Sequence, residues 1–208
     1  MNPDSVHPQT ASSPPYPPPR YAVVAGTPVA YRPLVPADRS ALHEGFRRLS
    51  PRSRYQRFFR SIRDLSVQEL AWLTEVDQVN HLAIGAQDLS GPEPVGIAVA
   101  RCVRLPERPE AAEPALTVVD SHQRRGIGTW LMRVLADAAR RRGIRTFEGY
   151  VFADNEPMIA ILRHYDVRFE PDSGGVYRFI APLTDSRRTR PAQAAALPPV
   201  PFPQAAWA

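Results

Sequence analysis

The order of strands and helices that the sequence predicts is typical of an α+β domain built as a three-layer sandwich. A strand and three helices come first, two antiparallel strands follow, and a strand–helix–strand unit leads into a last helix and a hairpin. The clearest observation is the segment Gln123-Arg124-Arg125-Gly126-Ile127-Gly128, because its glycines stand between a short β-branched run and an amphipathic helix. Hydrophobic residues make up 43% of the 208 residues, which is enough for the core of one such domain.

The first half of the domain contains clear strand and helix signals. The predicted strands are 29–34, 81–85 and 95–103, the last two joined by a turn at 88–92. The predicted helix starts are Asp38 for a helix that runs to about Leu49, Ser50 with Pro51 for a second helix, and Ser66 for a third. These signals place three helices between the first strand and the second.

The second half is predicted from turn residues and periodicity. A loop at 106–114 leads to a buried strand at 115–119, and a helix over 129–142 places Trp130, Leu131, Val134, Leu135 and Ala138 on one face. The remaining predicted elements are a strand at 146–152, a helix at 155–165, and a hairpin of 167–169 with 176–181.

Proline is concentrated at the two ends of the chain. Seven of the 24 prolines lie within residues 1–20 and five lie beyond Arg190. We therefore expect a disordered, proline-rich N-terminal tail over 1–26 and a disordered C-terminal tail over 184–208, with the folded domain at 27–183.

The composition narrows the class of protein. The net charge is +5, and all 26 cationic side chains are arginine, seven of them within residues 47–63. Tyr55, Phe58, Phe59 and Ile62 interleave with these arginines at helical spacing and are expected to form the buried side of the same helices. This favours a solvated arginine face or an anionic cofactor or partner over a nucleic-acid surface. The chain carries neither a secretory signal pattern nor an apolar run long enough to cross a bilayer, so a cytoplasmic protein without a membrane partner is expected.

The single cysteine, Cys102, leaves no internal disulfide and no multi-cysteine zinc site. It stands in an apolar strand and is predicted to be a small buried hydrophobic residue. No metal cofactor is expected.

The turn at 123–128 has the chemistry of an anion site. A strand, a glycine turn and a helix N-terminus together present unpaired backbone N–H groups, and a pyrophosphate is the natural ligand. Two other nucleotide motifs fit less well: the third glycine of a dinucleotide-binding fingerprint is missing after Gly128, and a P-loop requires a lysine that this chain lacks.

These residues resemble the GNAT superfamily of N-acetyltransferases. The family motif Q/R-x-x-G-x-G/A is matched by Gln123, Gly126 and Gly128, and Thr117-Val118-Val119-Asp120 stands before it. Leu49-Ser50-Pro51 with Tyr55 and Arg57-Phe58-Phe59 is similar to the bacterial protein lysine acetyltransferase branch. The resemblance implies a GNAT-type α/β/α sandwich whose mixed, mostly antiparallel sheet is splayed between the family's strands 4 and 5, with acetyl-CoA in the gap.

The resemblance also implies a set of cofactor-binding positions. The pyrophosphate of acetyl-CoA would bind to N–H groups of the turn, with Arg124 and Arg125 as forked donors and Val118 and Val119 pairing with the pantetheine arm. The expected cofactor-binding residues are Val118, Val119, Gln123, Arg124, Arg125, Gly126, Ile127, Gly128, Thr129 and Asn155.

Glu113 is the candidate catalytic base, at the family's glutamate position before the strand. Pro114 follows it where relatives carry a β-branched residue, so the start of the strand is expected to shift. Leu162 stands where many relatives have a tyrosine general acid, and Tyr165, three residues on, is a weaker candidate for that role. His81 and His122 are expected to have structural roles.

The expected function is acetyl transfer from acetyl-CoA to a primary amine, with a protein lysine side chain as the first acceptor class. A small-molecule amine is the alternative acceptor, and a domain that binds acyl-CoA without turnover is the alternative function. The sequence leaves the donor chain length and the oligomeric state open, a homodimer included.

Overall fold

A computed structural model of the chain describes residues 17–183, which form one eight-stranded sheet flanked by five α-helices. The strands are β1 Arg20–Val24, β2 Thr27–Pro33, β3 His81–Asp88, β4 Val95–Leu105, β5 Arg108–Val118, β6 Thr146–Phe152, β7 Arg168–Pro171 and β8 Val176–Pro182. The helices are α1 Arg39–Arg47, α2 Pro51–Phe58, α3 Val67–Thr74, α4 Ile127–Arg140 and α5 Glu156–Leu162.

The sheet has the strand order β1-β2-β3-β4-β5-β6-β8-β7. Every neighbouring pair is antiparallel except β5 and β6, which are parallel and connected through α4. Leu116 and Val118 contact the α4–α5 side, whereas Thr117 and Val119 line a cavity beneath α1, which places the two helix layers on opposite faces. The predicted three-layer α+β sandwich is therefore confirmed.

The sheet opens between β5 and β6. β5 pairs with β4 from Arg108 to Val118, but it pairs with β6 only through Ala111↔Thr146 and Ala112↔Phe147. When β1 is left out of the count, β5 and β6 are the fourth and fifth strands of the chain. These are the strands between which the GNAT resemblance predicts the splay, so that prediction is confirmed.

The sequence explains where that pairing ends. The Val119 N–H donates to Ile97 O on the β4 side (2.9 Å), so by strand alternation the even-numbered residues of β5 direct their backbone groups toward β6. The next even residue after Ala112 is Pro114, which has no N–H to donate. The ladder to β6 therefore cannot continue past Ala112, while the ladder to β4 loses nothing.

The amphipathic helix predicted after the turn forms the main core contact of the α4–α5 layer. Leu131 and Leu135 are fully buried and Ala138 is 8% exposed, while Trp130 and Val134 are partly buried against the same cluster. Cys102 is also fully buried and free, as predicted.

Three expectations from the sequence were wrong. β1 lies at Arg20–Val24, inside the range assigned to the N-terminal tail, because it forms a hairpin with β2 that places Ala22 and Val24 in the core. The expected loop at 106–114 is mostly strand β5, because Pro114 directs its missing N–H toward the gap and the pairing with β4 continues through it. Asp38 precedes α1 but does not cap it, since both of its carboxylate oxygens bind the buried Arg32 guanidinium, at 2.8 and 2.6 Å.

The predictions of disorder for 1–16 and 184–208 lie outside the described residues. Within residues 17–183, no helix has the length and apolar character needed to cross a membrane.

Candidate active site

The gap between β5 and β6 opens into a cleft of about 700 Å³. Its walls come from five elements that are far apart in the sequence: α2, β5, the turn before α4, β6 and α5. The residues that line the cleft include Ser53, Arg57, Phe59, Glu113, Leu116, Val118, Gln123, Arg124, Gly126, Gly128, Thr129, Tyr150, Asn155 and His164.

The turn at the start of α4 presents backbone donors to this cleft. Arg124 and Gly126 both have left-handed backbone conformations, with φ of +60° and +74°. The first bond within the helix is Trp130 N to Gly126 O at 2.9 Å, and no side chain caps the helix. The N–H groups of Ile127, Gly128 and Thr129 therefore have no acceptor within the helix and can bind an anion.

Gly128 allows α4 to begin against the wall of the cleft. A Cβ at this position would lie 3.0 Å from Ile161 Cδ1 and 3.1 Å from Leu116 Cδ2. A larger residue would require the Ile161 and Leu116 side chains to give way or the N-terminus of α4 to shift. Gly126 has open space around it, so its requirement is the positive φ alone.

The free edge of β5 forms the floor of the cleft. Leu116 and Val118 direct their backbone groups away from β4, so the N–H groups of both are available to an extended ligand. Val119 is not available, which corrects the expectation for this residue: its N–H donates to Ile97 O and its carbonyl accepts from His122 N, both at 2.9 Å. The pairing edge therefore consists of Leu116 and Val118 rather than Val118 and Val119.

Gln123 and Asn155 hold the cleft walls in place. Gln123 Nε2 donates to Val118 O at 3.0 Å and to Ser53 Oγ at 3.2 Å, which ties the turn to β5 and α2. Asn155 Oδ1 accepts from Met158 N at 3.2 Å and caps α5. Both side chains also line the cleft.

The other predicted turn residues divide by exposure. Arg124 and Arg125 are both exposed, but only Arg124 is among the residues that line the cleft. Ile127 is fully buried, so only its backbone can face a ligand.

Sequence reasoning missed the network around Asp120. This carboxylate accepts from Ser50 N (2.9 Å), Ser50 Oγ (2.7 Å) and Ser53 Oγ (3.0 Å), which fastens the start of α2 to the end of β5. Burial would raise the pKa of Asp120, but the hydrogen bonds from Ser50 and Ser53 outweigh it and hold the pKa below its usual value. The spacing Ser50-x-x-Ser53 was the available signal.

Glu113 stands where β5 and β6 separate. It is an exposed residue of β5 rather than of a loop, and its side chain lines the cleft. Its Cγ lies 3.2 Å from the position a Cβ would take on Gly149 of β6, so a glycine opposite makes room for the carboxylate. The structure brings Glu113, the β5 edge and the helix N-terminus into one cleft.

Comparison with known proteins identifies the family of this domain. The model of the acetyltransferase (GNAT) family matches residues 42–165, which include the turn, Glu113 and α2. The chain belongs to the GNAT acetyltransferase family.

Two curated relatives and one solved structure agree with this. Acetyltransferase Pat of Mycolicibacterium smegmatis is 36% identical over 132 residues, which are 63% of this chain and 38% of that protein. Acetyltransferase PA5475 of Pseudomonas aeruginosa is 32% identical over 133 residues, which are 64% of this chain and 71% of that protein. The crystal structure of the GNAT domain of S. lividans PAT has a TM-score of 0.72 at 28% identity, covering 80% of this chain and 99% of that chain. The matched part therefore spans less than half of the M. smegmatis relative.

Tyr165, the weaker candidate for a general acid, lies outside the cleft of the GNAT site. α5 ends at Leu162, which is fully buried, and Tyr165 packs against the core outside the cleft. Burial raises the pKa of Tyr165 to about 12, and its hydroxyl is buried without a partner among residues 17–183. Tyr150 and His164 are the side chains with exchangeable protons that line the cleft near β6 and α5.

An aromatic cluster forms the outer rim of the GNAT cleft. Phe59 and Tyr55 both stack on Phe152, with ring centroids 4.4 and 5.1 Å apart and planes at 21°. Tyr55 and Phe59 are 45% and 44% exposed, so the expectation that they form a buried helix side is only partly met. Phe59 also has φ of +55°, which turns the chain out of α2 at the rim.

Proposed function

We propose that this GNAT domain transfers an acetyl group from acetyl-CoA to a primary amine, with Glu113 as the base. The observation that carries the proposal is the meeting of three features in one cleft: the unpaired amides of Ile127–Thr129, the free edge of β5 and the Glu113 carboxylate. Family membership supports the same activity.

The residues present fit acetyl-CoA. The N–H groups of Ile127, Gly128 and Thr129 would hold the pyrophosphate, helped by the positive end of the α4 dipole. The N–H groups of Leu116 and Val118 would pair with the amides of the pantetheine arm, as an added strand does. When bound, the donor supplies an acetyl group activated as a thioester.

The chain's own task in the reaction is to accept a proton from the acceptor. A lysine amine with a pKa near 10.4 is mostly protonated at neutral pH and has no lone pair in that form. Glu113 accepts the proton directly or through a water molecule, the amine nitrogen forms a bond to the acetyl carbon, and the carbon–sulfur bond breaks. The sulfur leaves as a thiolate, whose pKa of about 8.5 makes a protein acid dispensable.

A protein lysine is the proposed acceptor class. The relatives named Pat and PAT support it, and so does the exposed aromatic rim, which gives the aliphatic part of a lysine a surface to contact at the cleft mouth. A small-molecule amine remains the second candidate.

The test is a release assay for CoA with acetyl-CoA and a library of lysine peptides. Glu113→Gln is expected to lower kcat by about 10²- to 10⁴-fold, because a general base contributes that much, while the Kd of acetyl-CoA measured by calorimetry stays near the wild-type value. Glu110→Gln is the matched control, since Glu110 is an exposed carboxylate of β5 outside the cleft lining.

Other outcomes would change the proposal in distinct ways. Turnover of Glu113→Gln equal to wild type from pH 6 to 9 would remove Glu113 from the mechanism. Binding of acetyl-CoA without release of CoA on any peptide or small amine would indicate a binding module instead of an enzyme.

A further inference from the structure

A second cavity, which we call the side pocket, lies beneath α1–α3 on the face of the sheet opposite α4. Its volume is about 70 Å³. The wall is mostly aliphatic and aromatic, and its polar side chains are Thr117 of β5 and two guanidinium groups, those of Arg57 on α2 and Arg101 on β4. By comparison with one water molecule, the side pocket has room for a group of about five non-hydrogen atoms.

Neither arginine forms an ion pair with a carboxylate among residues 17–183, although the charge of Glu113 acts on Arg57. Arg101 is 4% exposed, and its nitrogens contact only neutral groups, Leu73 O and His81 Nε2, both at 3.0 Å. Arg57 lies above the ring of Phe58 at 4.8 Å, and among residues 17–183 no hydrogen bond or ion pair to its side chain is found. Burying the Arg101 charge without an ion pair is costly, and the half-buried Arg57 adds a second positive charge, so a site of this kind favours an anion.

A third arginine shows what a completed pairing looks like. Arg32 is 1% exposed, and its guanidinium makes two hydrogen bonds to Asp38, at 2.8 and 2.6 Å. The other arginines of residues 47–63 have local partners or are exposed. Three form ion pairs with nearby carboxylates: Arg47 with Asp64, Arg52 with Asp154 and Arg60 with Glu69. Arg48 and Arg54 donate to backbone carbonyl groups, and Arg63 is exposed.

Both guanidinium groups remain charged at neutral pH. Burial lowers the pKa of Arg57 to about 10, against the opposing effect of Glu113. Burial, and to a smaller extent the charge of Arg57, lowers the pKa of Arg101 to about 9. The positive potential of the side pocket also contributes to the low pKa of His81, which keeps this ring neutral beside Arg101.

The side pocket adjoins the cleft. Arg57 and Thr117 line both cavities, and Thr117 stands between Leu116 and Val118, the two residues that present the free edge of β5. A group attached to a thioester at that edge has the side pocket as its neighbouring space. The side pocket is also on the same sheet face as Glu113, since both Glu113 and Thr117 are odd-numbered residues of β5.

We propose that the side pocket binds a carboxylate on a short hydrocarbon chain, with Arg57 and Arg101 as its counterions and the apolar wall around the chain. The inference rests on the proposed function for the source of that group, which is the end of a dicarboxylic acyl group carried on CoA. The –CH2–CH2–COO⁻ end of a succinyl group has five non-hydrogen atoms, which matches the volume. Transfer then follows the same balance as for acetyl: the nitrogen–carbon bond forms, the carbon–sulfur bond breaks, the proton goes to Glu113, and the terminal carboxylate is unchanged.

The experiment compares two donors that differ in the terminal charge. Calorimetry of the full chain with succinyl-CoA and with butyryl-CoA, which has the same number of acyl carbons, gives a ratio of Kd values. We expect wild type to bind succinyl-CoA at least tenfold more tightly than butyryl-CoA, and Arg57→Gln to bring the ratio close to one. Arg60→Gln is the matched control, because Arg60 lies on the same segment but is exposed and pairs with Glu69; its ratio should equal that of wild type.

The ratio is measured within one protein, so a general loss of stability in a variant does not imitate the effect. Arg57→Lys, which keeps the charge but not the forked donors, is expected to retain part of the preference. Thermal shift with free succinate and with its uncharged diamide, succinamide, at saturating CoA, forms the second arm. Stabilisation by succinate that depends on Arg57, without any donor preference, would assign the carboxylate to a free acid or an acceptor.

Failure of this inference differs from failure of the proposed function. Equal affinities for succinyl-CoA and butyryl-CoA, with no effect of free succinate, would overturn the side pocket as a carboxylate site even if acetyl-CoA binds and reacts. Absence of any binding by acetyl-CoA would overturn the proposed function, whereas an Arg57-dependent effect of succinate would still stand.

Discussion

The two sides of β5 carry different kinds of site. On the side of α4 and α5, the donors are backbone groups: the amides of Ile127–Thr129 and the edge of Leu116 and Val118. On the side of α1–α3, the chemistry belongs to side chains: Glu113, Arg57, Arg101 and the network of Asp120. The first side would bind an anion with backbone dipoles, which do not ionise, and the second holds side chains that do.

The difference determines how each side responds to substitution and to pH. A backbone site depends on conformation and close approach, so it is sensitive to added Cβ atoms and insensitive to protonation. A side-chain site depends on buried charges and their partners, so its stability and function are linked to pKa. The predictions below use this contrast, beginning with the largest expected effect.

Gly128→Val tests the backbone side. The Cβ of the new side chain would lie about 3 Å from side-chain carbons of Ile161 and Leu116, and the two further methyl groups of valine have no room beside them, so we expect α4 to shift and its N–H groups to lose their alignment. We expect the Kd of CoA to rise on the order of 100-fold and unfolding free energy to fall by about 1–3 kcal/mol, the usual cost of overpacking. The effect on Kd should be the same from pH 6 to pH 8.

Gly126 provides the matched control, because it has space but requires a positive φ. Gly126→Ala should cost about 1 kcal/mol of stability, and Gly126→Asn less, since asparagine tolerates that conformation better. Unchanged CoA affinity in Gly128→Val would show that the start of α4 does not hold the pyrophosphate, and the contrast between the two sides would disappear.

The backbone side was largely predictable because its determinants are local. The strand, the turn and the helix lie within residues 115–142, and glycine at 126 and 128 reports both the left-handed backbone and the close approach. Val119 was the exception. Which residues of β5 face the gap depends on the register of β5 with β4, and the local sequence pattern of β5 does not predict that register.

The side-chain side was poorly predictable because its parts are brought together only by the fold. Ser50 and Ser53 lie 70 and 67 residues before Asp120, and Arg57 joins Arg101 from another layer. The loop at 106–114 was wrongly predicted because proline disrupts a strand only where its missing N–H would have bonded to a neighbouring strand. At Pro114 the missing N–H faces the gap, so the strand continues. Tyr165 lies outside the cleft because α5 ends three residues before it.

Asp120→Asn tests the link between the two sides with an intermediate effect. Its carboxylate accepts hydrogen bonds from the Ser50 N–H and from the hydroxyls of Ser50 and Ser53. In asparagine one of the two oxygens is replaced by an NH2 group, which is itself a donor and would face one or two of these donors. We expect a loss of about 1–2 kcal/mol in unfolding free energy, because one or two hydrogen bonds to a charged group are replaced by unsatisfied donors. Since Ser53 also binds Gln123, the KM for acetyl-CoA should rise as well.

The control is Asp64→Asn, whose carboxylate pairs with Arg47 and His43 at the surface, away from the cleft. Its effect on KM should be absent. A KM for Asp120→Asn equal to that of wild type would indicate that the serine network stabilises α2 without positioning the turn.

His81 gives the smallest and most specific effect, a dependence of stability on acid pH that only the side-chain side can produce. Burial, followed by the charge of Arg101, lowers the pKa of His81 to about 4 from 6.5. The unfolded chain therefore binds more protons between these values, so stability falls as pH drops from about 6.5 to about 4 and levels off below. The shift corresponds to about 3 kcal/mol at full burial, and partial exposure of the ring reduces this to about 1–2 kcal/mol.

Chemical denaturation from pH 7 to pH 4 measures this loss of unfolding free energy. His81→Gln is the comparison variant, because glutamine keeps an acceptor for Arg101 but cannot titrate. An acid limb as steep in His81→Gln as in wild type would place the titrating group elsewhere, whereas a flatter limb, with CoA affinity of the turn unaffected, would confirm that protonation acts on one side of β5 only.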